Sequence, residues 1–339
     1  MKRTRIELEQ VADLHNLTSA AWRAARGKGK RPEVAAFMTS LLDRLHELRD
    51  EILEERLELQ PPHVFHIRDP KPRVIRAPRF RERVLHHALM SLVGPVLERT
   101  LIDDTYACRC GKGTAAAVCR AQQHVRRFDW YVKMDVRQYF ASVRHDIIKQ
   151  LLRRRIRGDA TLRLIDQLID FHTDQPGRGL PIGALSSQNF ANFYLNGLDR
   201  AILSDTGSRG YVRYMDDFLV WCDTRQHASR LASLATDFVQ TQLSLELHEP
   251  IQMNRSSLGV TFCGFRIHAG TIQLARSRRQ RFVSGLDCWE KRYRLGLVSV
   301  GELQSAVDAL LGMTTPADAQ GWLAAQMSRR RVGSESSDW

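Results

Sequence analysis

The stretch GYVRYMDDFLVWCD, residues 210–223 of this 339-residue chain, decides the fold class. Strand-forming residues flank an acidic pair, Asp216 and Asp217, which predicts a β-hairpin with two carboxylates at its turn. Like charges placed this close resist ionisation unless a cation compensates them, and hard oxygen ligands of this kind suit Mg2+. If the pair stood alone, a solvated acidic turn would be the simpler explanation.

A second acidic position changes that balance. In WYVKMDV, residues 130–136, Asp135 ends an apolar strand, and Phe140 follows five residues later. Two such strands side by side would bring three carboxylates to one point, as a two-metal centre requires. One ion would activate a 3′-hydroxyl and the other would steady a triphosphate leaving group. Unrelated surface acids are the alternative, but the pattern predicts a site for two Mg2+ ions, with Mn2+ as a substitute.

Composition indicates a globular protein with a polyanionic partner. Hydrophobic residues make up 43% of the chain, and 51 Lys and Arg against 38 Asp and Glu leave a net charge of +13. Such a surplus favours nucleic acid or an anionic membrane. No apolar run is long enough to span a bilayer and the opening MKRTRIELEQ is too polar for a signal peptide, so we expect nucleic acid, no membrane and a cytoplasmic location. The six scattered cysteines predict reduced thiols rather than a zinc site.

Hydrophobic periodicity predicts helices first and a mixture of helix and strand later. Apolar residues recur at helical spacing from Val34 to Ile52, after a basic, glycine-broken loop at residues 23–32. From about Trp130 the pattern becomes mixed, which predicts an α+β fold. Further predicted elements are helices at residues 162–171 and 189–202 and short strands within residues 260–276.

The order of these motifs resembles that of reverse transcriptases. Asp135 followed by Phe140 resembles their motif A, LPIGALSSQ at 180–188 their motif B, and YMDD at 214–217 their motif C. A later Cys-Gly-Phe tripeptide resembles their primer-grip motif E. Four such motifs in this order form a specific pattern.

The resemblance, over roughly residues 68–294, implies an α+β right-hand polymerase fold. Its parts would be fingers, a palm whose antiparallel sheet carries the acidic hairpin, and a small helical thumb. The implied division is an N-terminal helical and basic extension at 1–60, fingers at 61–130, palm at 131–270 with a fingers insertion at about 145–180, thumb at 271–328 and a disordered tail at 329–339.

Within that superfamily the sequence most resembles the reverse transcriptases of diversity-generating retroelements, which are related to group II intron and retron-like bacterial enzymes. The likeness rests on AAWRAARGKGKRPEVAAF, RDPKPRVIRAPRFRERVLHHAL, YACRCGKGTAAAV and the IGxxxSQ pattern that begins at Ile182. It implies an error-prone RNA-directed DNA polymerase of bacterial, archaeal or phage origin that copies a template RNA into mutagenised cDNA. Implied partners are template RNA, the cDNA/RNA hybrid, dNTPs and a small basic accessory protein that forms a ring.

Two other functions stay open at this point. Antiviral-defence and retron-like reverse transcriptases, which act on a dedicated noncoding RNA, share parts of the same pattern. A non-catalytic RNA-binding scaffold on a polymerase fold belongs to a different class. The three intact carboxylates argue against that scaffold.

The resemblance also assigns roles to single residues. Asp135, Asp216 and Asp217 would be catalytic and would bind the metal ions together with Val136. Phe140 would be a steric gate, because an aromatic ring beneath the sugar leaves no room for a 2′-hydroxyl; a core role is the alternative. The implied nucleotide-binding residues are Lys71, Arg73, Arg109, Phe140, Ile182 and Gln188. A solvated, charge-rich face is the alternative for the cations in this set.

Later residues are expected to hold the primer and the duplex. The implied primer grip is Cys263, Gly264 and Phe265. The basic thumb residues expected to contact the nucleic-acid backbone are Arg276, Arg278, Arg279, Arg281, Lys291 and Arg292. Contacts of this kind give affinity that depends on salt and not on sequence.

Two positions depart from the family pattern. Most relatives place Gln where this chain has Ile182, and loss of one positioned polar contact should relax base discrimination by about 1–3 kcal/mol. This predicts error-prone copying, with a simple core role for a β-branched residue as the alternative. The motif D segment at residues 245–252 lacks the usual Lys. His248 is the candidate general acid in its place.

Overall fold

Helices and strands alternate along the chain in the computed structural model, which describes residues 3–68, 72–171 and 175–330. The elements of the first part are β1 (Thr4–Arg5), α1 (Leu8–Val11), α2 (Leu14–Ala25), α3 (Pro32–Thr39), α4 (Leu41–Leu53), β2 (His63–Arg68), β3 (Pro72–Ala77), α5 (Phe80–Glu98) and α6 (Thr114–Arg127).

The middle of the chain contains most of the longer strands. Its elements are β4 (Trp130–Asp135), α7 (Tyr139–Ser142), α8 (His145–Arg153), β5 (Ile156–Arg157), α9 (Asp159–Asp170), α10 (Leu185–Tyr194), α11 (Asn196–Ser204), β6 (Gly210–Tyr214), β7 (Asp217–Cys222), α12 (Arg225–Leu243) and β8 (Gln252–Arg255). The last elements are a 3₁₀ helix at Ser256–Leu258, β9 (Val260–Phe262), β10 (Phe265–Ile267), β11 (Ile272–Leu274), α13 (Arg276–Arg294), α14 (Val300–Gly312) and α15 (Gln320–Ser328).

A four-stranded antiparallel sheet, in the order β6-β7-β4-β8, forms the central layer. The predicted hairpin forms β6 and β7, and β4 pairs beside it. Alternate residues of β4 enter different cores: Val132 joins the main hydrophobic cluster, whereas Tyr131 joins a second cluster with α6. Helix α12 packs against β4 and β7. The inner strands are therefore covered on both faces, which explains why every residue of β7 after Asp217 is apolar and buried.

The helices of residues 3–60 share the main core with the central sheet. Leu17 of α2 and Leu45 of α4 belong to the same buried cluster as Leu85 of α5 and Val132 of β4. In addition, β1 pairs in parallel with β5. These N-terminal helices are thus packed into the body of the protein, while the predicted boundaries of the parts remain predictions.

Two long predicted helices are interrupted. The apolar run from Val34 to Ile52 forms α3 and α4, which meet at Ser40, and the predicted helix at 189–202 forms α10 and α11, which meet at Leu195. Buried residues lie on both sides of the break between α3 and α4, so the apolar spacing in the sequence looks like that of one continuous helix.

Two smaller sheets flank the central one. Strands β2 and β3 form an antiparallel ribbon, tied to the segment before α10 by a 2.8 Å hydrogen bond from the amide of Arg76 to the carbonyl of Ile182. Strands β9, β10 and β11 form a three-stranded meander that precedes α13. The predicted tail at 329–339 lies, from residue 331 onward, outside the described residues. Within the described ranges, no helix has the length and apolar character that a bilayer-spanning segment needs.

Candidate active site

The three acidic residues predicted to act together lie at one end of the central sheet. Asp135, the last residue of β4, pairs with Asp217, the first residue of β7, in the antiparallel ladder. Asp216 lies in the turn before β7, and its carbonyl accepts a 3.2 Å hydrogen bond from the amide of Val136. Met215 precedes it with a left-handed φ of 60°. Strand register and a tight turn therefore bring the three acids together.

Burial makes two of these carboxylates reluctant to ionise. It raises the pKa of Asp216 to about 6, with the charge of Asp135 as the next cause. Burial also raises the pKa of Asp217 to about 7, although the ammonium group of Lys133 acts in the opposite direction. Lys133 Nζ lies 3.3 Å from Asp217 Oδ2 and donates to the carbonyl of Thr261 at 3.0 Å. A bound cation would favour the ionised form of these clustered carboxylates.

The donor set fits a hard divalent cation in type and in charge. Asp217 Oδ1 is buried and, among the described residues, has no hydrogen-bond partner. Buried carboxylate oxygens normally have such partners, so a bound cation would account for this one. Across the described ranges, however, no group of three His, Cys, Asp or Glu side chains is already arranged to hold a metal ion. The oxygen of Asp217 that faces Lys133 is committed to that ion pair.

A cavity of about 490 Å³ opens between the β2–β3 ribbon and the segment before α10. Phe140 and Ile182 both line it, together with Val74 and Arg76. The carbonyl of Phe140 accepts a 2.7 Å hydrogen bond from the amide of Leu180, which joins α7 to the segment before α10. The two residues predicted to select the nucleotide thus share one half-enclosed space.

Gly183 shapes the same wall. Its φ of +124° strains any other residue, and an added Cβ would lie 3.0 Å from the carbonyl oxygen of Arg76. Gln188 lies in α10 and, together with Gly183, lines a neighbouring recess of about 190 Å³. Its Oε1 accepts from Cys108 Sγ at 3.6 Å. Gln188 therefore does not line the cavity that Phe140 and Ile182 line.

The predicted phosphate-binding cations differ in where they point. Arg73, on β3, is exposed and close enough to Asp216 to lower that carboxyl's pKa. Lys71 lies outside the described residues. Arg109 does not fit the prediction: its side chain is 8% exposed and pairs with Glu98 at 2.7 Å. One of its Nη1 bonds reaches the carbonyl of Thr105 at 2.8 Å. Arg109 holds its own loop together, because carbonyls there satisfy the guanidinium locally.

The predicted primer grip forms the turn between β9 and β10. Cys263 and Gly264 have φ values of 48° and 78°, as a two-residue hairpin turn of this kind requires. Burial, followed by the charge of Asp217, raises the pKa of the Cys263 thiol well above its usual range. Lys133 links this hairpin to the acidic cluster, because its ammonium group pairs with Asp217 and also donates to the carbonyl of Thr261 in β9. Phe265, the next residue, is fully buried in the second core.

Arg278 of α13 is the second cation that does not fit the prediction. Its Nη2 donates to the carbonyl of Cys263 at 2.8 Å and its Nη1 to the carbonyl of Met313 at 2.6 Å. The guanidinium also lies 4.2 Å from the ring centre of Phe265. Arg278 therefore joins α13 and the end of α14 to the turn at Cys263, and its guanidinium points inward. The exposed members of the predicted basic set are Arg276, Arg279, Arg281, Lys291 and Arg292.

His248 is exposed, and its backbone amide donates to the carbonyl of Asp135 at 2.7 Å. The predicted motif D segment thus runs directly beside the end of β4. Two residues that contact the acidic turn are not among the predicted site residues. Lys133 pairs with Asp217, and Arg213 of β6 donates to the carbonyl of Met215 at 3.0 Å. Strand alternation offers a signal for Lys133, which shares a face of β4 with Asp135. Arg213 offers another, since it is a charged residue inside an otherwise apolar strand.

An antiparallel sheet that carries paired acids on a hairpin and a third acid on the adjacent strand is characteristic of a polymerase palm. Residues 67–265 match the reverse transcriptase (RNA-dependent DNA polymerase) family, and the chain belongs to that family. Apo telomerase from Candida tropicalis superposes with a TM-score of 0.52 at 11% identity, over 81% of this chain and 60% of that one. This similarity confirms the predicted right-hand fold.

Two curated relatives match about half of this chain. Protein YkfC from Escherichia coli is 25% identical over 169 residues, which cover 46% of this chain and 44% of YkfC. The putative COX1/OXI3 intron 1 protein from Saccharomyces cerevisiae is 20% identical over 164 residues, which cover 46% of this chain and 20% of that protein. The chain therefore spans less than half the length of either relative.

Proposed function

We propose that the protein is an RNA-directed DNA polymerase that works with two Mg2+ ions. Asp135, Asp216 and Asp217, with the carbonyl of Val136, would bind the ions. The observation that carries the proposal is the pairing of Asp135 with Asp217 on adjacent strands, beside the turn that holds Asp216. Bound Mg2+ would supply charge stabilisation to the attacking and leaving oxygens of phosphoryl transfer.

The surrounding residues have complementary roles in this proposal. Arg73, exposed and close to Asp216, would contact the triphosphate of the incoming nucleotide. Phe140, in the 490 Å³ cavity, would lie beneath the sugar and exclude a 2′-hydroxyl. The Cys263–Gly264 turn would hold the primer end next to the carboxylates. Exposed cations of α13 would contact the duplex backbone.

Error-prone copying for a diversity-generating retroelement is the finer part of the proposal. Ile182 lines the same cavity as Phe140, and its side chain offers no hydrogen bond to a base or sugar. The template RNA, the cDNA/RNA hybrid, dNTPs and a ring-forming basic accessory protein would be its partners, in the cytoplasm. Action on a dedicated noncoding RNA in antiviral defence is the alternative, as in retron-like enzymes.

Primer extension tests the activity. Purified protein with a DNA primer on an RNA template, dNTPs and Mg2+ should extend the primer, and Asp135→Asn should not. Asp223→Asn is the matched control, because this exposed acid directly follows the same hairpin and pairs with Arg209 at 2.7 Å, away from the acidic turn. An inactive wild-type protein that still binds RNA would favour the scaffold function instead.

Sequencing of the cDNA tests the finer part. Ile182→Gln should lower the substitution rate about tenfold, because a polar contact to the nucleotide is restored. Ile182→Val is the matched control, since it keeps a β-branched apolar side chain. Errors concentrated at template adenines would support diversification. Faithful copies from wild type would refute error-prone copying and favour defence.

A further inference from the structure

A fully buried ion pair lies directly beneath the acidic turn. Arg213 of β6 and Asp199 of α11 are both 0% exposed, and Arg213 Nη2 lies 2.6 Å from Asp199 Oδ2. The Nε group donates to Asp199 Oδ1 at 2.7 Å. The hydroxyl of Tyr211 donates to the same oxygen at 2.6 Å. Asp199 therefore accepts from three donors.

The remaining donors of Arg213 reach two other elements. Nη1 donates to Asn192 Oδ1 at 2.9 Å and to the carbonyl of Met215 at 3.0 Å, and Nη2 donates to the carbonyl of Asn192 at 3.0 Å. With the two bonds to Asp199, all five N–H groups of the guanidinium have an acceptor. Lysine has neither the number of donors nor the planar geometry to replace it.

These contacts connect the acidic turn to the wall of the nucleotide cavity. Met215 is the left-handed residue of the turn, so its carbonyl direction fixes the position of Asp216. Asn192 belongs to α10, which begins at Leu185, three residues after the cavity residue Ile182. The Nδ2 group of Asn192 also donates to the carbonyl of Ala107 at 2.9 Å. A single guanidinium thus contacts the turn, α10 and α11.

Stability alone does not explain such a network. A buried ion pair is costly to desolvate, and apolar residues of similar volume often replace one without loss of stability. What apolar residues cannot do is to hold one backbone carbonyl in a fixed direction. The only backbone carbonyl of the turn that this network holds, among the described residues, is that of Met215.

We infer that Arg213 is a positioning residue for catalysis, which holds the turn so that Asp216 and Asp217 meet Asp135 and the metal ions in the reactive geometry. The inference rests on the proposed polymerase function. A displacement of about 1 Å at a reacting centre can cost about a hundredfold in rate, so the turn is the sensitive point.

The test separates turn geometry from folding. The double variant Arg213→Met with Asp199→Leu removes both buried charges and the bond to Met215, while Tyr211→Phe removes one buried hydrogen bond to Asp199 and leaves the turn bonded. Single-turnover primer extension gives the rate constant of the active fraction and, separately, the amplitude of that fraction. We expect the double variant to lose about tenfold to a hundredfold in rate constant. Tyr211→Phe should keep it within about twofold, since that hydroxyl does not touch the turn.

A second readout does not depend on polymerase activity. The Mg2+ concentration that gives half of the metal-induced rise in melting temperature should increase in the double variant and stay unchanged in Tyr211→Phe. An inactive wild type would refute the proposed function, and the Mg2+ titration would still test the position of the turn. Arg213→Lys, which keeps a charge beside Asp199, is assayed in the same way if the double variant does not fold.

Three outcomes would overturn the inference. The first is a folded double variant, or a folded Arg213→Lys, with a wild-type rate constant and only a reduced amplitude. The second is an unchanged Mg2+ requirement in either of these proteins. The third is that neither protein folds, which would assign the network to folding.

Discussion

The palm sheet and helix α13 of the thumb both carry charges that serve nucleic-acid chemistry in the proposed function, but they hold them differently. In the palm, Asp135 and Asp217 occupy paired positions of adjacent strands and are only partly accessible. On α13, Arg279 is exposed, while Arg278, the residue before it, turns inward to the carbonyls of Cys263 and Met313. Neighbouring cations of one helix thus have opposite environments.

The difference has a simple physical origin. A carboxylate on a strand is short, so the register of the ladder sets where its oxygens lie. An arginine side chain is long and has five donors, so any nearby backbone carbonyls can hold it. Substitutions of the palm carboxylates should therefore alter the rate of the chemical step. Substitutions of the arginines should lower either the stability of the protein or its affinity for nucleotide or nucleic acid.

The largest effect is expected from the palm. Asp217→Asn should lower the polymerisation rate constant about a thousandfold or more, because it removes one ligand from a site whose metal ions supply several kcal/mol of charge stabilisation. Single-turnover extension measures the loss. A rate within tenfold of wild type would show that this carboxylate does not belong to the metal site and would remove the contrast with α13.

The pH dependence of the Mg2+ requirement is the next largest expected effect. The pKa values of about 6 and about 7 for Asp216 and Asp217 mean that protons compete with Mg2+ below neutrality. We expect the Mg2+ concentration for half-maximal rate to rise by about tenfold between pH 8 and pH 6. Metal titrations at fixed ionic strength measure it, and a requirement that does not change with pH would contradict the buried character of the pair.

The same raised pKa values should make the metal-free protein less stable as the pH rises, whereas Mg2+ binding improves over the same range. Both pKa values are raised above the value of about 3.9 expected in the unfolded chain. Between about pH 4 and pH 7 the folded state therefore binds more protons, and this contribution to stability is lost as the pH rises through that window. Denaturation in EDTA at several pH values should show a smaller decline for Asp217→Asn than for wild type.

The next prediction compares two arginines of the predicted fingers. Arg73→Gln should raise the KM for dNTP about fivefold, since it removes a cation beside the triphosphate site. Arg109→Gln should leave that KM unchanged and lower the melting temperature, because the native guanidinium donates to Glu98 and to the carbonyls of its own loop. Steady-state kinetics and thermal denaturation measure the two effects. The opposite pattern would restore Arg109 as a phosphate contact.

The limits of prediction from sequence follow the same division. The meeting of Asp135 with the hairpin follows from apolar patterns and short motifs, because the two-residue period of a strand leaves few registers. The partners of Arg109 and Arg278 depend on carbonyls that approach only in the folded chain. Arg213 is similar: its position in β6 is visible in the sequence, but its acceptors at Asn192 and Asp199 come from separate helices.

The smallest effect, and the most direct test of the contrast on α13, comes from its two adjacent arginines. Arg279→Gln should weaken binding to an RNA–DNA duplex about threefold, and the slope of log affinity against log salt should fall by about one contact, because an exposed cation is removed. Arg278→Gln should leave the salt slope unchanged and lower the melting temperature, since its donors hold the Cys263 turn and the Met313 carbonyl. Fluorescence anisotropy at several salt concentrations, with thermal denaturation of the same proteins, measures both. Equal salt slopes for the two variants would mean that Arg278 leaves its internal carbonyls when the duplex binds.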